Sequence, residues 1–494
     1  MGNLKLAQRL IDAVRAAGAH EFCVCAGSRN SPLLAVLGGR TSGPPPGGGP
    51  EVRPPRLFSF IDERSAAFFA VGRMKLHGNP VAVVTTSGTA VAELLPAAIE
   101  AYYSGLPLIL VSADRPARFR GTGAPQSIEQ LGLFGPYAET ALESWSRARP
   151  LHLNIEFDEP LLDDACHPER SEGPGRVVAH ESRPPSPRSL AHARDDIRHP
   201  LVIIGGLAAR HRDRVRELVR NAIVYAEPLS GLREHSSITA GERMIASGSF
   251  DGVIRIGNVP TLRFWRDLET LDLPVVHYSD LPFTGLTRGD LQSIAELPEV
   301  ISRDDEFIAR DREMRARFEA ILDDEPQSEL AMLRSLSREL PEDARVYLGN
   351  SLPVREWDLV AARKPFEHEA NRGANGIDGQ LSTFFGWCDA SRDNVCIVGD
   401  LTAIYDLGAP WIVPQLDRGI RYRIVIINNG GGRIFSRVPS LRSLDESLRE
   451  RIIENAHGIR FDHWAAMWNI DVTELRPDAE ASKRGWQRYD ELWA

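Results

Sequence analysis

Two stretches in the last third of the chain decide its fold: Val395-Cys-Ile-Val-Gly-Asp-Leu401 and Ile424-Val-Ile-Ile-Asn-Asn-Gly-Gly-Gly432. Each begins with an unbroken apolar run, which is typical of a strand buried on both faces of a parallel sheet. The residues between Leu401 and Asn428, 402–427, are enough for one crossover helix, so we expect the two strands to be neighbours. The polar residues at their carboxyl ends would then lie side by side.

These polar strand ends have the chemistry of a metal and phosphate site. The Asp400 carboxylate and the Asn429 carboxamide are hard oxygen donors that suit Mg²⁺. The glycines after Asn429 allow the backbone to approach a diphosphate closely. Asp, Asn and Gly also form ordinary turns, and either fragment alone would favour that interpretation. The two fragments together, each after a buried strand, favour a metal–diphosphate site.

Further apolar runs extend the same pattern towards the N-terminus: Val81–Val84, Leu108–Val111, Leu201–Ile204 and Val253–Ile254. They lead into helix-like stretches, which predicts an α/β fold of doubly wound parallel sheets. The length of 494 residues suits three domains. We expect their limits near 1–165, 196–325 and 326–494.

Three segments are expected to lie outside the sheets. The stretch Thr41–Pro55 is rich in Gly and Pro and is predicted to be an insertion. The polar, proline-rich stretch Asp163–Pro200 is predicted to be a partly disordered linker. The charged segment Asp304–Glu329 is expected to begin as a surface helix and to end at a domain boundary.

Composition narrows the functional classes. The net charge of −10 argues against a nucleic-acid or membrane-surface role for the whole molecule. No apolar run approaches the roughly 20 residues that span a bilayer. The five cysteines are scattered and form no Cys-x-x-Cys pair, so we expect reduced thiols in a cytoplasmic protein and no zinc site.

Read from end to end, the chain resembles the 2-succinyl-5-enolpyruvyl-6-hydroxy-3-cyclohexene-1-carboxylate synthases of menaquinone synthesis, a branch of the thiamine-diphosphate enzymes. The segments that carry the resemblance occur in the family's order in the first and last domains. They are Ala26-Gly-Ser-Arg-Asn-Ser-Pro-Leu33, Ile61-Asp-Glu-Arg-Ser65, Thr86-Ser-Gly-Thr-Ala-Val-Ala-Glu93, Ser112-Ala-Asp-Arg-Pro116, Gly123-Ala-Pro-Gln-Ser127, Gly349-Asn-Ser-Leu-Pro-Val-Arg355, Asn371-Arg-Gly-Ala-Asn-Gly-Ile-Asp-Gly379 and Gly430-Gly-Gly-Arg-Ile-Phe435.

The resemblance implies a fold, a reaction and partners. The three domains would be a pyrimidine-binding domain (1–165), a central domain (196–325) and a diphosphate-binding domain (326–494). The cofactors would be thiamine diphosphate with Mg²⁺ or Mn²⁺. The reaction would be decarboxylation of 2-oxoglutarate and conjugate addition of the succinyl carbanion to isochorismate. The cofactor would lie between the first domain of one subunit and the last domain of another, in a homodimer or homotetramer.

The resemblance also implies roles for individual residues. Glu63 would hydrogen-bond the aminopyrimidine ring and Ile377 would keep the cofactor bent. The metal ligands would be Asp400, Asn429 and the main-chain oxygen of Gly431. Further cofactor contacts are implied for Ser87, Gly88 and Leu401. Substrate contacts are implied for Ser28, Arg29, Arg115, Gln126, Ser351, Arg355, Arg372, Ile434 and Phe435.

These roles agree with the chemistry of the residue types. A carboxyl group buried in an interface has a raised pKa, which suits a Glu63 that shares a proton. Both substrates are dianions, and arginines recognise carboxylates well. The alternatives are ordinary ones: Glu63 pairing with a helix N-terminus, Ser87 and Gly88 capping a helix, and solvated arginines.

Two other functions stay open at this point. One is a different thiamine-diphosphate enzyme, such as an acetolactate synthase or an oxoacid decarboxylase, which would lack the segments around Arg29, Arg355 and Arg372. The other is a catalytically impaired, truncated relative. That alternative arises from two departures from the family. The Gly/Pro insertion Thr41–Pro55 separates Arg29 from Glu63, and the chain ends at Ala494, where the family continues, so the last sheet is expected to lack a final strand and helix.

Overall fold

Three five-stranded parallel sheets organise the part of the chain that the structure describes. The structure is a computed structural model, and it describes residues 2–39, 54–162, 197–438, 441 and 444–493. The strands are β1 (Glu21–Cys25), β2 (Arg56–Phe60), β3 (Val81–Thr85), β4 (Leu108–Asp114), β5 (Leu151–Glu156), β6 (Pro200–Ile204), β7 (Ile223–Ala226), β8 (Gly252–Ile256), β9 (Val275–Tyr278), β10 (Asp290–Gln292), β11 (Arg345–Leu348), β12 (Glu367–Glu369), β13 (Asp393–Gly399), β14 (Arg421–Ile427) and β15 (Val472–Leu475).

The strand orders are β2-β1-β3-β4-β5, β10-β9-β8-β6-β7 and β12-β11-β13-β14-β15, and neighbouring strands run parallel throughout. In each sheet the chain reverses its direction of winding, which leaves helices on both faces. The predicted α/β fold of three doubly wound parallel sheets is therefore confirmed.

The α-helices are α1 (Asn3–Ala16), α2 (Ser31–Leu37), α3 (Glu63–His77), α4 (Thr89–Ala92), α5 (Leu95–Ser104), α6 (Ala209–Leu218), α7 (Arg263–Asp267), α8 (Asp305–Asp324), α9 (Glu329–Glu339), α10 (Leu352–Val360), α11 (Gln380–Trp387), α12 (Asp400–Tyr405), α13 (Glu446–Leu448), α14 (Asp462–Trp468) and α15 (Ala479–Glu491). The 3-10 helix Arg433–Arg437 also matters for the site, because it contains two predicted site residues.

The apolar runs in the sequence form the central strands. Every residue of β3, β4 and β6 is buried, as expected for strands covered on both faces. All six predicted strands are present. Strands at or near the sheet edges, such as β12 and β15, are shorter and only partly buried.

The described residues form two compact units. Unit 1 consists of Met1–Pro184, Asn371–Ala390 and Ile404–Ile420, and it contains the first sheet. Unit 2 consists of Pro185–Ala370, Ser391–Ala403 and Arg421–Ala494, and it contains the other two sheets. The limits of the three expected domains remain a prediction.

Expectations for the segments outside the sheets have mixed outcomes. The charged segment is helical as predicted, since α8 covers most of it and α9 begins at Glu329. Most of Thr41–Pro55 and of Asp163–Pro200 lies outside the described residues. Pro200 already belongs to β6, so the predicted linker was too long.

Four cysteines are free and buried, and Cys166 is not described. Within the described ranges, no helix is both long and apolar enough to cross a membrane.

The expectation that the last sheet lacks a final strand and helix is wrong. Strand β15 pairs with β14 from Ile424↔Val472 to Ile427↔Leu475. Helix α15 follows, and its Tyr489 joins the same apolar core as β11, β13 and β14. The sequence Val472–Leu475 has little apolar character, which is why it did not stand out as a strand.

Candidate active site

The predicted residues of the first domain lie along one edge of the first sheet in unit 1. All strands of that sheet are parallel, so their carboxyl ends meet at this edge. The residues that follow the strand ends are Ser28 and Arg29 after β1, Glu63 after β2, Ser87 and Gly88 after β3, and Arg115 after β4.

Glu63 is the first residue of α3 and is half-buried. The cap of this helix is Asp62, whose side chain accepts hydrogen bonds from the backbone N–H groups of Arg64 and Ser65. Glu63 is therefore not needed as the cap. Its Oε1 lies 3.5 Å from Thr85 Oγ1 at the end of β3. Burial raises the pKa of Glu63 above its ordinary value, which favours a carboxyl group that takes part in proton exchange.

The structure brings Gly88, Arg115 and Gln126 together. Gly88 has φ +90°, and a Cβ there would lie 3.1 Å from the Gln126 Cα. Its N–H donates to Gln130 Oε1 at 2.9 Å. Arg115 Nε donates to the Pro125 carbonyl at 2.8 Å, which ties the loop that carries Gln126 to the end of β4. A glycine is therefore required at position 88 by both conformation and space.

Arg29 is buried in the structure, at 5% exposed. Its Nη1 donates to the Phe157 carbonyl at 3.0 Å, and its Nη2 lies 3.2 Å from the Glu159 carboxylate. These contacts hold the guanidinium at the ends of β1 and β5. A substrate carboxylate would therefore share this cation with Glu159, and substrate binding by Arg29 stays a prediction.

Two carboxylates hold the segment that carries Arg372 and Ile377 in unit 1. Glu100 of α5 accepts from the backbone N–H groups of Gly373 and Ala374, at 2.9 and 2.7 Å. Asp406 accepts from the N–H groups of Gly379 and Leu381, at 2.8 and 3.0 Å. Ile377 and Arg372 are half-buried between these anchors. A cavity of about 130 Å³ lies beside the segment, lined in part by Phe68, Glu100, Gly376 and Asp378.

In unit 2, the ends of β13 and β14 meet as the sequence predicted. Gly399 and Ile427 are register partners in the sheet. Asp400 follows directly and is 2% exposed. Its Oδ2 accepts from the N–H groups of Gly430 and Gly431, each at 2.9 Å. Both glycines have positive φ, and a Cβ at Gly431 would lie 2.5 Å from the Glu454 carbonyl oxygen.

Asn429 is held in a defined orientation beside Asp400. Its Nδ2 donates to Glu329 Oε2 at 3.0 Å, and its main-chain oxygen accepts from Arg433 Nε at 3.1 Å. The Asp400 carboxylate, the Asn429 carboxamide and the Gly431 carbonyl are hard oxygen donors, and such a set fits Mg²⁺ or Mn²⁺. No group of three or more His, Cys, Asp and Glu side chains in the described ranges suits a metal. The predicted set contains only one such side chain, so that absence does not bear on it.

The remaining predicted residues of unit 2 lie at the starts of two helical turns. Ser351 precedes α10 with φ +75°, and Arg355 Nη1 donates to its carbonyl oxygen at 2.5 Å. Ile434 and Phe435 lie in the 3-10 helix that begins directly after Gly432. Phe435 is 38% exposed, so an apolar ring is available next to the glycine loop.

Comparison with known proteins identifies the family. The profile of the thiamine pyrophosphate enzyme, N-terminal TPP binding domain, matches residues 4–133. A 2-succinyl-5-enolpyruvyl-6-hydroxy-3-cyclohexene-1-carboxylate synthase of Bdellovibrio bacteriovorus is 38% identical over 553 aligned residues, which cover 100% of both chains. Synthases of the same name from Akkermansia muciniphila and Halobacterium salinarum are 38% and 32% identical. They cover 93% and 98% of this chain, and 89% and 97% of their own.

The chain belongs to the 2-succinyl-5-enolpyruvyl-6-hydroxy-3-cyclohexene-1-carboxylate synthase family. The predicted family and the predicted class, a thiamine-diphosphate-dependent transferase, are confirmed by these matches. The roles of individual residues in this synthase family remain predictions for this chain.

Sequence reasoning missed the residues that support the site. The buried carboxyl groups Glu329 and Glu356 lie beside Asn429, and Glu356 pairs with the half-buried Arg437. Glu454 pairs with Arg433 and Arg449 next to the glycine loop. Burial, together with repulsion from Glu329, raises the pKa of Glu356 well above its ordinary value. The local signal that could have found Glu329 is an acidic residue beside an apolar run, as with Glu100 in α5.

Proposed function

We propose that the chain catalyses decarboxylation of 2-oxoglutarate and conjugate addition of the resulting succinyl group to isochorismate. The product would be 2-succinyl-5-enolpyruvyl-6-hydroxy-3-cyclohexene-1-carboxylate, as in the names of its relatives. Thiamine diphosphate, when bound, supplies the carbon nucleophile and the electron sink that decarboxylation of a 2-oxoacid requires. The chain's own residues bind, orient and exchange protons.

The observation that carries the proposal is the meeting of two strand ends, Asp400 after β13 and Asn429–Gly431 after β14. In an open parallel sheet, ligands bind beyond the carboxyl ends of neighbouring strands. Asp400, Asn429 and the Gly431 carbonyl would hold Mg²⁺ or Mn²⁺. The glycine backbone of the same loop would allow the diphosphate to approach closely.

Glu63 would hold a proton at the aminopyrimidine ring. Its half-buried position and its raised pKa support this role, because the carboxyl group has to donate a hydrogen bond while protonated. Gly88, with no side chain, would leave room for the ring beside the end of β3. Ile377 would supply the apolar surface that keeps the cofactor bent.

Arginines would recognise the substrates. Both substrates carry two carboxylates, and Arg29, Arg115, Arg355 and Arg372 are the cations that the proposal assigns to them. Ser28, Gln126 and Ser351 would add neutral hydrogen bonds. Ile434 and Phe435 would form an apolar wall, which the partial exposure of the Phe435 ring supports.

The proposal includes an assembly and a location. By resemblance to the family, two subunits would share each cofactor, in a homodimer or homotetramer of a cytoplasmic enzyme. The limits 1–165, 196–325 and 326–494 would then separate pyrimidine-binding, central and diphosphate-binding domains.

The experiment is the release of CO₂ from 2-oxoglutarate, with and without isochorismate, thiamine diphosphate and Mg²⁺. We expect release to require both cofactors and to fall by about 10²–10⁴-fold in Glu63→Gln, since general acid–base catalysis has that magnitude. Pyruvate is the matched control substrate. CO₂ release from pyruvate in preference to 2-oxoglutarate would contradict the proposed substrate, and full activity of the variant would contradict the role of Glu63.

A further inference from the structure

Two buried carboxyl groups hold both ends of segment 429–437 in unit 2. Glu329, the first residue of α9, accepts a hydrogen bond from Asn429 Nδ2. Glu356 of α10 pairs with Arg437 at 3.1 Å. Glu329 is 6% exposed and Glu356 is fully buried. Two of the proposed metal ligands, Asn429 and Gly431, and the proposed apolar wall therefore lie in a segment held by two anchors that sequence motifs did not reveal.

The hydrogen bond from Asn429 to Glu329 determines which end of the Asn429 carboxamide remains available to a cation. An asparagine side chain has a donor end and an acceptor end of nearly the same shape. In this structure the Asn429 Nδ2 end lies 3.0 Å from Glu329 Oε2, which accepts the hydrogen bond. With the –NH₂ group on Glu329, the oxygen is the end that remains for a cation. A metal ligand has to present that oxygen, so the orientation of the amide decides whether Asn429 can coordinate.

The position of Glu329 is set independently of the glycine loop. Its backbone N–H donates to Ser482 Oγ at 3.0 Å. Ser328 caps α9 by accepting from the Ala331 N–H at 3.3 Å. At the other end of the segment, the Arg437 guanidinium lies 3.2 Å from the centre of the Trp486 ring. The carboxylate is thus fixed by a helix start, and it can orient the loop.

We propose that Glu329 is a positioning residue for the metal site, which turns the Asn429 oxygen towards the divalent cation. This inference rests on the proposed function, because it assumes that Asn429 is a ligand. Residues that orient metal ligands through a hydrogen bond typically change metal affinity by about 10–100-fold when they are replaced. The loss is expected in cation binding itself, before any turnover.

The test is a titration of the full chain with Mn²⁺ in the presence of thiamine diphosphate, in which electron paramagnetic resonance measures the free and bound Mn²⁺. Glu329→Leu removes the acceptor and should weaken Mn²⁺ binding by about 10–100-fold. Glu329→Gln keeps an acceptor oxygen and should restore most of the Mn²⁺ affinity, to within about threefold of the wild type.

The control variant is Asp311→Asn. Asp311 is fully buried in unit 2 and accepts from the N–H groups of Thr239 and Ala240. Its variant should lose thermal stability but keep the wild-type Mn²⁺ affinity.

The outcomes separate the two proposals. Wild-type Mn²⁺ affinity in Glu329→Leu, or an equal loss in Asp311→Asn, overturns the positioning role. If Glu329→Leu does not fold, Glu329→Ala is measured in its place. It should also weaken Mn²⁺ binding by about 10–100-fold, and wild-type Mn²⁺ affinity in it would also overturn the positioning role. A wild-type chain that releases CO₂ from 2-oxoglutarate while Glu329→Leu binds Mn²⁺ normally would overturn this inference alone. A wild-type chain that binds no Mn²⁺ would overturn both.

Discussion

Gly88 has φ +90° and ψ −145°, a backbone conformation that a residue with a side chain rarely adopts. We predict that Gly88→Ala lowers the free energy of unfolding by about 1–3 kcal/mol, the usual cost of such strain. It should also weaken thiamine diphosphate binding, because the added methyl group presses on Gln126. Gly458→Ala is the matched control, since a Cβ there meets nothing within 4 Å. Chemical denaturation and calorimetry measure the two effects. If Gly88→Ala kept both the wild-type stability and the wild-type affinity for thiamine diphosphate, the proposed site for the aminopyrimidine ring would lie elsewhere.

Site residues could be predicted from the sequence where a short local pattern marks their position. Asp400, Asn429 and Glu63 each lie within three residues of a strand end, and these three positions could be found from short patterns. The bonds that support them join distant parts of the chain: Glu329 and Asn429 are 100 residues apart, and Glu356 and Arg437 are 81 apart. Such pairs depend on how helices pack on the sheet, which a local pattern does not encode.

At the scale of elements, α3 and α11 of unit 1 cross without side chains at their closest point. A Cβ at Gly72 would overlap the Thr383 carbonyl oxygen, and one at Gly386 would overlap the Phe69 carbonyl oxygen. We predict that Gly72→Ala destabilises the protein by about 2–3 kcal/mol, because a backbone atom cannot move aside easily. Thermal unfolding of this variant beside Gly458→Ala checks the prediction. Equal melting temperatures would contradict the close crossing.

An ion pair joins β1 to α3. Burial alone would raise the pKa of Glu21, but hydrogen bonds and charge interactions from Arg73 and His77 lower it to about 2 from an ordinary value of 4.5. The unfolded chain therefore takes up this proton at a higher pH than the native state does. The stabilisation is complete above about pH 4.5 and is lost as the pH falls towards 2.

We predict that Glu21→Gln lowers the free energy of unfolding at pH 7 by about 2–3 kcal/mol and flattens its acid dependence below pH 4.5. Urea denaturation of the wild type and the variant at several pH values measures both. The Glu217→Gln variant is the control, because that carboxyl group is paired at the surface with Arg220. If the free energy of unfolding of Glu21→Gln fell with pH as steeply as that of the wild type, the stabilising role of the Glu21 ion pair would be refuted.

Element patterns also explain which strands could not be predicted. The central strands β13 and β14 are apolar throughout most of their length and were found. Strand β12 is Glu367-His-Glu369, and β15 is half-buried at every position. These two strands lie at the edges of their sheet, where one side faces no further strand and composition is less constrained.

For the whole molecule, the proposed sharing of each active site by two subunits predicts complementation between two inactive variants. Glu63→Gln and Asp400→Ala should each abolish CO₂ release from 2-oxoglutarate. Mixed dimers would combine both changes in one site and leave the other site intact. Random mixing should therefore restore about a quarter of the wild-type activity, since half of the dimers are mixed. Sites built within single subunits would give no recovery after subunit exchange.

The most direct measurement of the central claim is calorimetric titration of the full chain with thiamine diphosphate, with and without Mg²⁺. We predict saturable binding that requires Mg²⁺ and that is lost in Asp400→Ala, because Asp400 and the Asn429–Gly431 loop, which meet at two adjoining strand ends, are the proposed cation site. Binding of equal strength in that variant, or in the absence of any divalent cation, would contradict this proposed site.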